Sequence, residues 1–142
     1  MRRFVVDASV SLCWYFEQQK SAYTEAVLEQ LAEGDRAVAP ALWPLEMING
    51  LVLAERFKKL RANQLEQFLA DLRALPVEID TAGVSRAHAS IPPLARNYRL
   101  SAYDASYLDL ALVEGLPLAT LDKRLRTVAA AAGVHLFRPA ET

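Results

Sequence analysis

The sequence contains few of the residues that build disulfides and zinc sites: one cysteine and two histidines in 142 residues. Cys13 cannot form an internal disulfide, and a lone thiol among apolar neighbours is typical of an ordinary core residue. There is no CxxC pair and no Cys/His cluster, which argues against a structural zinc site. This cysteine usage fits a protein kept in a reducing compartment.

The sequence also lacks a long apolar run and an excess of charge of one sign. The formal net charge of −1 excludes a global basic field, so nucleic acid could be attracted only by a local patch. No apolar run approaches the ~20 residues of a membrane span. The N-terminus resembles a signal peptide only superficially, because Asp7 interrupts the apolar segment and no small-residue cleavage site follows. We therefore expect a soluble, cytoplasmic protein.

What the sequence does contain is an ordinary globular composition, 53% hydrophobic and 23% charged, in a length that suits one domain over residues 1–142. Short apolar runs alternate with helical patterns, which predicts an α/β domain with a mostly parallel sheet. The predicted strands are 3–6, 36–39, 77–79, 116–120 and 134–137. The predicted helices are 9–16, 22–33, 42–58, 63–74, 81–97, 101–114 and 122–132, with Pro92 and Pro93 expected to kink or split the fifth.

Two aspartates directly follow predicted strands. Asp7 ends the apolar run FVV, and Asp122 comes just after the fourth strand. In parallel sheets the ligand site lies beyond the carboxyl ends of the strands. Each aspartate also precedes a predicted helix, so each taken singly is explained as a helix N-cap.

A third carboxylate lies in a helix that is apolar on nearly every side. In LWPLEMINGLVLA (42–54), Glu46 and Asn49 are the only polar side chains, and their spacing of three puts them on one face. A carboxylate in such a setting must be paired, protonated or bound to a metal. The alternatives are a buried ion pair or a helix end that emerges into solvent.

A fourth carboxylate, Asp104, lies in SAYDASYLDLALVE (101–114). It shares a helix stripe with Tyr107 and with apolar residues that should face the core. Ser101 and Asp104 also fit a capping box, so a purely structural role stays open. Asp109 is about 140° further around the helix and is expected to be solvated or paired to a base.

Taken together, the four carboxylates predict a metal site at one edge of the sheet. Two bare carboxylates ~4 Å apart repel by about 4 kcal/mol at an effective dielectric of ~20, so four require a cation. An all-oxygen cluster without His or Cys favours Mg²⁺ or Mn²⁺. The hydroxyls of Ser9 and Thr120 flank two of the acids and could orient them. The predicted catalytic and metal-binding residues are Asp7, Glu46, Asp104 and Asp122.

These segments resemble the PIN-domain family, and in particular the VapC-type ribonuclease toxins of type II toxin–antitoxin pairs. The likeness covers essentially the whole chain. It lies in VVDASV with Asp7, PLEMINGL with Glu46 and Asn49, LSAYDASYLDLA with Asp104, and LPLATLDKRL with Thr120 and Asp122. It implies a PIN-like three-layer α/β/α fold with a mostly parallel five-stranded sheet and the acids at its carboxyl edge.

The resemblance further implies an endoribonuclease that depends on Mg²⁺ or Mn²⁺, an RNA substrate, a homodimer and a cognate antitoxin. Ser9, Asn49 and Thr120 are expected to support the four acids. An RNA backbone needs a positive path to an acidic site, and the basic group beside Asp122 is the best candidate: Lys123, Arg124 and Arg126.

Three other interpretations stay open. A phosphatase of the haloacid-dehalogenase kind also places an Asp after strand one, but it usually needs Asp-x-Asp, and this chain has Asp7-Ala8-Ser9. A phospho-receiver domain needs a lysine after the last strand, where this chain has Arg138 and Pro139. A catalytically idle PIN domain that binds RNA or a partner is the third.

Overall fold

Strands and helices alternate along the chain in the computed structural model, which describes residues 1–140. Two 3₁₀ turns, Leu12–Tyr15 and Glu17–Gln19, follow the first helix, so the predicted helix 9–16 is α-helical only at its start. The strands are β1 (Arg3–Val6), β2 (Arg36–Pro40), β3 (Val77–Asp80) and β4 (Leu118–Ala119). The helices are α1 (Ala8–Ser11), α2 (Ala22–Ala32), α3 (Trp43–Arg56), α4 (Ala62–Ala74), α5 (Ala82–Tyr98), α6 (Ala102–Glu114) and α7 (Lys123–Ala131).

The sheet is parallel throughout its described strands, in the order β3-β2-β1-β4. In β1, Phe4, Val5 and Val6 are all fully buried, so both faces of this central strand are covered. Parallel strands covered on both faces are continuous apolar runs, as FVV is, rather than alternating ones. The α/β class and the parallel sheet predicted from sequence are therefore confirmed.

The prediction of five strands is wrong, because the sheet described here has four. The segment 134–137 contributes only an isolated bridge between Leu118 and Leu136. Leu118 donates to the carbonyl of His135 at 2.9 Å, and Phe137 donates back to Leu118 at 2.8 Å. The next carbonyl, that of Phe137, accepts the hydroxyl of Tyr23 at 2.9 Å, and Pro139 has no N–H with which to continue the ladder.

Helix α5 runs unbroken from Ala82 to Tyr98 although Pro92 and Pro93 lie inside it, so the expected split does not occur. Both prolines are exposed, and the backbone carbonyls that they leave without a helical donor lie within reach of solvent. The helix ends at Arg99, which has a left-handed backbone conformation with φ of 54°.

An ion triad ties α5 to its neighbours. The Arg86 guanidinium donates to Asp109 of α6 and to Asp80 at the end of β3, both at 2.8 Å. Asp109 is therefore paired to a base, one of the two outcomes expected for it. This triad fixes α6, which carries Asp104, against the sheet.

The main core cluster surrounds the sheet, and a smaller cluster of Leu51, Ala54 and Leu60 packs against α4. Helices α4 and α5 pack mainly through partly buried residues. Within residues 1–140, no helix combines the length and apolarity needed to cross a bilayer.

Candidate active site

Asp7 lies at the carboxyl end of β1 and is only 6% exposed. The hydroxyls of Ser9 and Thr120 both donate to its Oδ2 atom, each at 2.7 Å. Asp7 occupies the N-cap position of α1 without a well-formed capping hydrogen bond, although the backbone N–H of Ser9 lies close enough to lower the pKa of its carboxyl, so capping does not account for this residue alone. Its carboxylate is held instead by two hydroxyls from separate parts of the chain.

The same two hydroxyls join the turns after β1 and β4. The Ser9 hydroxyl accepts the N–H of Leu121 at 3.0 Å, and the Thr120 hydroxyl accepts the N–H of Asp122 at 3.1 Å. The backbone N–H of Asp7 also donates to Ala119 at 2.9 Å. Ser9 and Thr120 therefore occupy supporting positions like those expected from sequence.

Asp122 is the N-cap of α7, and its Oδ1 atom accepts the N–H of Leu125 at 2.8 Å. The capping role considered for Asp122 is thus present. The side chain is exposed, and its charge acts on both Asp7 and Asp104 by raising their pKa values. Asp122 therefore caps a helix and also contributes to the acidic cluster.

Asp104 is half-buried in the first turn of α6. Its backbone N–H donates to the Ser101 hydroxyl at 3.0 Å, so Ser101 caps this helix as the sequence suggested. Burial raises the pKa of the Asp104 carboxyl, and the charges of Asp7 and Asp122 raise it further. The capping contact and the acidic environment are therefore both present at this residue.

Glu46 lies in the first turn of α3 and is also half-buried. The hydroxyl of Tyr107 donates to its Oε1 atom at 2.6 Å. Sequence reasoning did not include Tyr107 in the site. Two signals were available: Tyr107 lies one turn after Asp104 on the same stripe, and a buried tyrosine hydroxyl usually requires a partner.

The four acids form one electrostatic group. The pKa of Asp7 is raised, first by burial, while its hydrogen bonds with Ser9 and Thr120 lower it and the charge of Asp122 raises it. The pKa of Glu46 is raised by burial and then by the charges of Asp7 and Asp104, with the Tyr107 hydrogen bond acting in the opposite direction. Within residues 1–140, none of the four forms a salt bridge. The cluster therefore carries repelling charges without an ion-paired basic side chain in the part of the chain that the structure describes.

The other predicted site residues, Asn49 and the three basic residues of α7, differ in their exposure and in the contacts they make. Asn49 is exposed on α3, and no hydrogen bond from its side chain is present in the described part of the chain. Lys123 is exposed beside Asp122, and Arg124 donates to the carbonyl of Tyr98 at 3.0 Å. Arg126 lies over the ring of Tyr23, with its guanidinium carbon 5.5 Å from the ring centre. Lys123 and Arg124 are thus the more accessible of the three basic side chains.

The donor chemistry suits a hard divalent cation, although no three His, Cys, Asp or Glu side chains in the described residues form a ready-made metal cage. Mg²⁺ commonly retains several waters and is held by only one or two carboxylates. A cluster of oxygen donors with uncompensated charge at the carboxyl edge of a parallel sheet fits such an ion.

Comparison with known proteins places this arrangement in a family. The model of the PIN domain matches residues 4–131. A comparison with curated protein sequences gave no match.

Three solved structures share the fold. PAE2754 from Pyrobaculum aerophilum is 21% identical with a TM-score of 0.58, over 89% of this chain and 86% of that one. FitAcB from Neisseria gonorrhoeae is 22% identical with a TM-score of 0.61, over 96% and 97%. VapBC2 from Rickettsia felis, solved with a DNA fragment from its promoter, is 15% identical with a TM-score of 0.61, over 95% and 97%. With the family model covering nearly the whole sequence, the chain belongs to the PIN-domain family.

Proposed function

We propose that this PIN domain is a Mg²⁺- or Mn²⁺-dependent endoribonuclease of the VapC type, acting as the toxin of a toxin–antitoxin pair. The observation that carries the proposal is the buried Asp7 carboxylate, surrounded by the charges of other carboxylates and without a basic partner among residues 1–140. Carboxylates that repel one another without a basic partner are the arrangement that a cation-dependent site requires.

When bound, the metal ion supplies an activated water and neutralises charge that builds up on the scissile phosphate. In this proposal Asp7 and Asp104 are the main ligands, and Glu46 and Asp122 bind directly or orient metal-bound water. Ser9 and Thr120 hold Oδ2 of Asp7 in place, so this ligand is already oriented before substrate arrives.

RNA would approach along the start of α7. Lys123 and Arg124 are exposed there, next to Asp122, and are placed to contact the phosphate backbone. Contacts of this kind give affinity without sequence selectivity, so the choice of cleavage site would come from other parts of the surface.

The antitoxin and the homodimer belong to the same proposal. The likeness to the VapBC2 and FitAcB structures, which share this fold, supports an antitoxin as the partner. The chain also exposes large apolar side chains, including Leu45 and Ile48 of α3 and Val84 of α5. Exposed apolar surface of this kind is typical of proteins that bind partners.

The test is cleavage of a fluorogenic RNA by purified protein with Mg²⁺, Mn²⁺ or a chelator. Asp7→Asn removes the central charge and is expected to lower the metal-dependent rate at least about 100-fold, because a metal ligand is lost. Asp71→Asn, an exposed aspartate of α4, is the matched control and should cleave like the wild type. Equal rates for Asp7→Asn and the wild type would contradict the proposed mechanism.

A further inference from the structure

Tyr107 connects the helix that carries Asp104 with the helix that carries Glu46. Its side chain is fully buried, one turn after Asp104 in α6, and its hydroxyl donates to Glu46 Oε1 at 2.6 Å. The two residues are 61 positions apart in sequence. The backbone N–H of Ala8, next to Asp7, acts on the same hydroxyl and lowers its pKa. One phenol oxygen therefore lies among the segments that carry three of the four acids.

The direction of this hydrogen bond is fixed by chemistry. A tyrosine phenol has an ordinary pKa of about 10, so its hydroxyl carries a proton at physiological pH. A protonated phenol beside a carboxylate donates, and the carboxylate accepts. The bond uses Oε1 of Glu46, and no hydrogen bond to Oε2 is present in residues 1–140.

Without this contact, little would hold Glu46 in the cluster. A glutamate side chain has several rotatable bonds, and Glu46 is only half-buried, so it has room to turn toward solvent. The negative charges of Asp7 and Asp104 repel its carboxylate and favour such a turn. A charge-assisted bond of 2.6 Å opposes the repulsion.

We propose that Tyr107 is a positioning residue that holds Glu46 through Oε1 and thereby leaves Oε2 available to the proposed divalent cation. This inference rests on the proposed metal-dependent function and assigns a role to a residue outside the four acids. Residues that orient metal ligands typically change metal affinity or activity by about 10–100-fold when they are altered.

The experiment measures the rise in melting temperature across a Mg²⁺ titration, together with RNA cleavage at saturating Mg²⁺. Tyr107→Phe removes only the hydroxyl, and we expect the half-saturating Mg²⁺ concentration to rise about 10-fold or more. Glu46→Asp keeps the carboxylate but places it beyond the reach of Tyr107, so it should show a similar loss. Tyr23→Phe is the matched control, since it also removes one tyrosine hydroxyl bond, that to the carbonyl of Phe137, and should leave the Mg²⁺ titration unchanged.

A double variant separates positioning from a general structural effect. Once Glu46→Ala has removed the carboxylate, adding Tyr107→Phe should not weaken Mg²⁺ binding further, because the carboxylate that Tyr107 orients is then absent. A further loss in the double variant, or a Tyr107→Phe titration that matches Tyr23→Phe, overturns the inference. If Tyr107→Phe does not fold, a Glu46→Asp titration like that of the wild type overturns it as well.

The two proposals fail in different ways. Wild-type protein that is stabilised by Mg²⁺ but does not cleave RNA contradicts the ribonuclease proposal and leaves the role of Tyr107 to be decided by the titrations. Wild-type protein that cleaves RNA, with Tyr107→Phe unchanged in both readouts, contradicts the role of Tyr107 alone. Wild-type protein without any Mg²⁺-induced stabilisation overturns both.

Discussion

At the scale of single residues, Asp7 and Asp109 show how differently two buried aspartates are satisfied. Both are less than a tenth exposed. Asp109 is paired with Arg86 at 2.8 Å, whereas Asp7 accepts two neutral hydroxyls and experiences the charge of Asp122. The charge of Asp109 is compensated, whereas burial and the charge of Asp122 act against the charge of Asp7. Uncompensated charge of this kind is common at functional sites.

This difference predicts opposite effects of the same substitution. In the absence of divalent cations, Asp7→Asn should raise the free energy of unfolding by about 1 kcal/mol, because the amide removes the repelled charge and its oxygen still accepts the Ser9 and Thr120 hydroxyls. Asp109→Asn should lower it, since Arg86 loses its charged partner on α6. Urea denaturation in a chelating buffer measures both. A loss of stability in Asp7→Asn would show that the Asp7 charge is compensated.

At the same scale, the sequence predicted the four acids and the supporting hydroxyls of Ser9 and Thr120, but neither the role of Tyr107 nor which hydroxyl bonds to which carboxylate. Asp7, Glu46, Asp104 and Asp122 were found because charged residues interrupt apolar patterns, and such patterns are local. The bonds of Thr120 to Asp7 and of Tyr107 to Glu46 span 113 and 61 positions. Which hydroxyl reaches which carboxylate depends on the packing of separate elements, which one sequence does not specify.

At the scale of elements, the hydrophobic periodicity predicted the order of the helices and strands. The two wrong predictions, a fifth strand and a break in α5, concern segments whose structure depends on contacts outside the segment. The fifth strand reduces to the Leu118–Leu136 bridge, after which the carbonyl of Phe137 bonds to the Tyr23 hydroxyl and Pro139 has no N–H with which to extend the ladder. Helix α5 passes through Pro92 and Pro93, two residues that local rules assign to a break. In each case the competing contact comes from outside the segment or from solvent.

The α5–α6 contact predicts a strong effect at a residue far from the acids in sequence. Arg86 joins Asp80 and Asp109, and its side chain is 23% exposed against 11% and 6% for the two acids. Arg86→Met leaves Asp109 buried without its partner and should lower the free energy of unfolding by about 2–4 kcal/mol.

Arg3→Met is the matched control for this change. Arg3 pairs with Glu78 and Glu114, which are 55% and 39% exposed, so losing these ion pairs should cost less than about 1 kcal/mol. Thermal and urea unfolding of the two variants provide the measurement. Similar losses for both would mean that the Arg86 triad is well solvated and does not anchor α6.

At the scale of the whole molecule, the acidic cluster should determine how stability depends on pH. The pKa values of Asp7, Glu46 and Asp104 are all raised above their ordinary values of 3.8, 4.5 and 3.8. Between the unfolded and the folded pKa values, the native state binds more protons than the unfolded chain. The free energy of unfolding therefore decreases as pH rises through that window.

We accordingly expect the metal-free protein to be less stable at pH 7 than near pH 5, which is the reverse of a protein whose acids are paired. Mg²⁺ should oppose this loss, because it binds the ionised carboxylates of the folded state, and free Mg²⁺ at about 100 times its dissociation constant adds about 2.7 kcal/mol. Urea unfolding at both pH values, with a chelator or with Mg²⁺, measures the effect. In Asp7→Asn both the pH dependence and the Mg²⁺ effect should shrink together. A metal-free protein that instead becomes more stable from pH 5 to pH 7 would mean that the four acids do not share one uncompensated site.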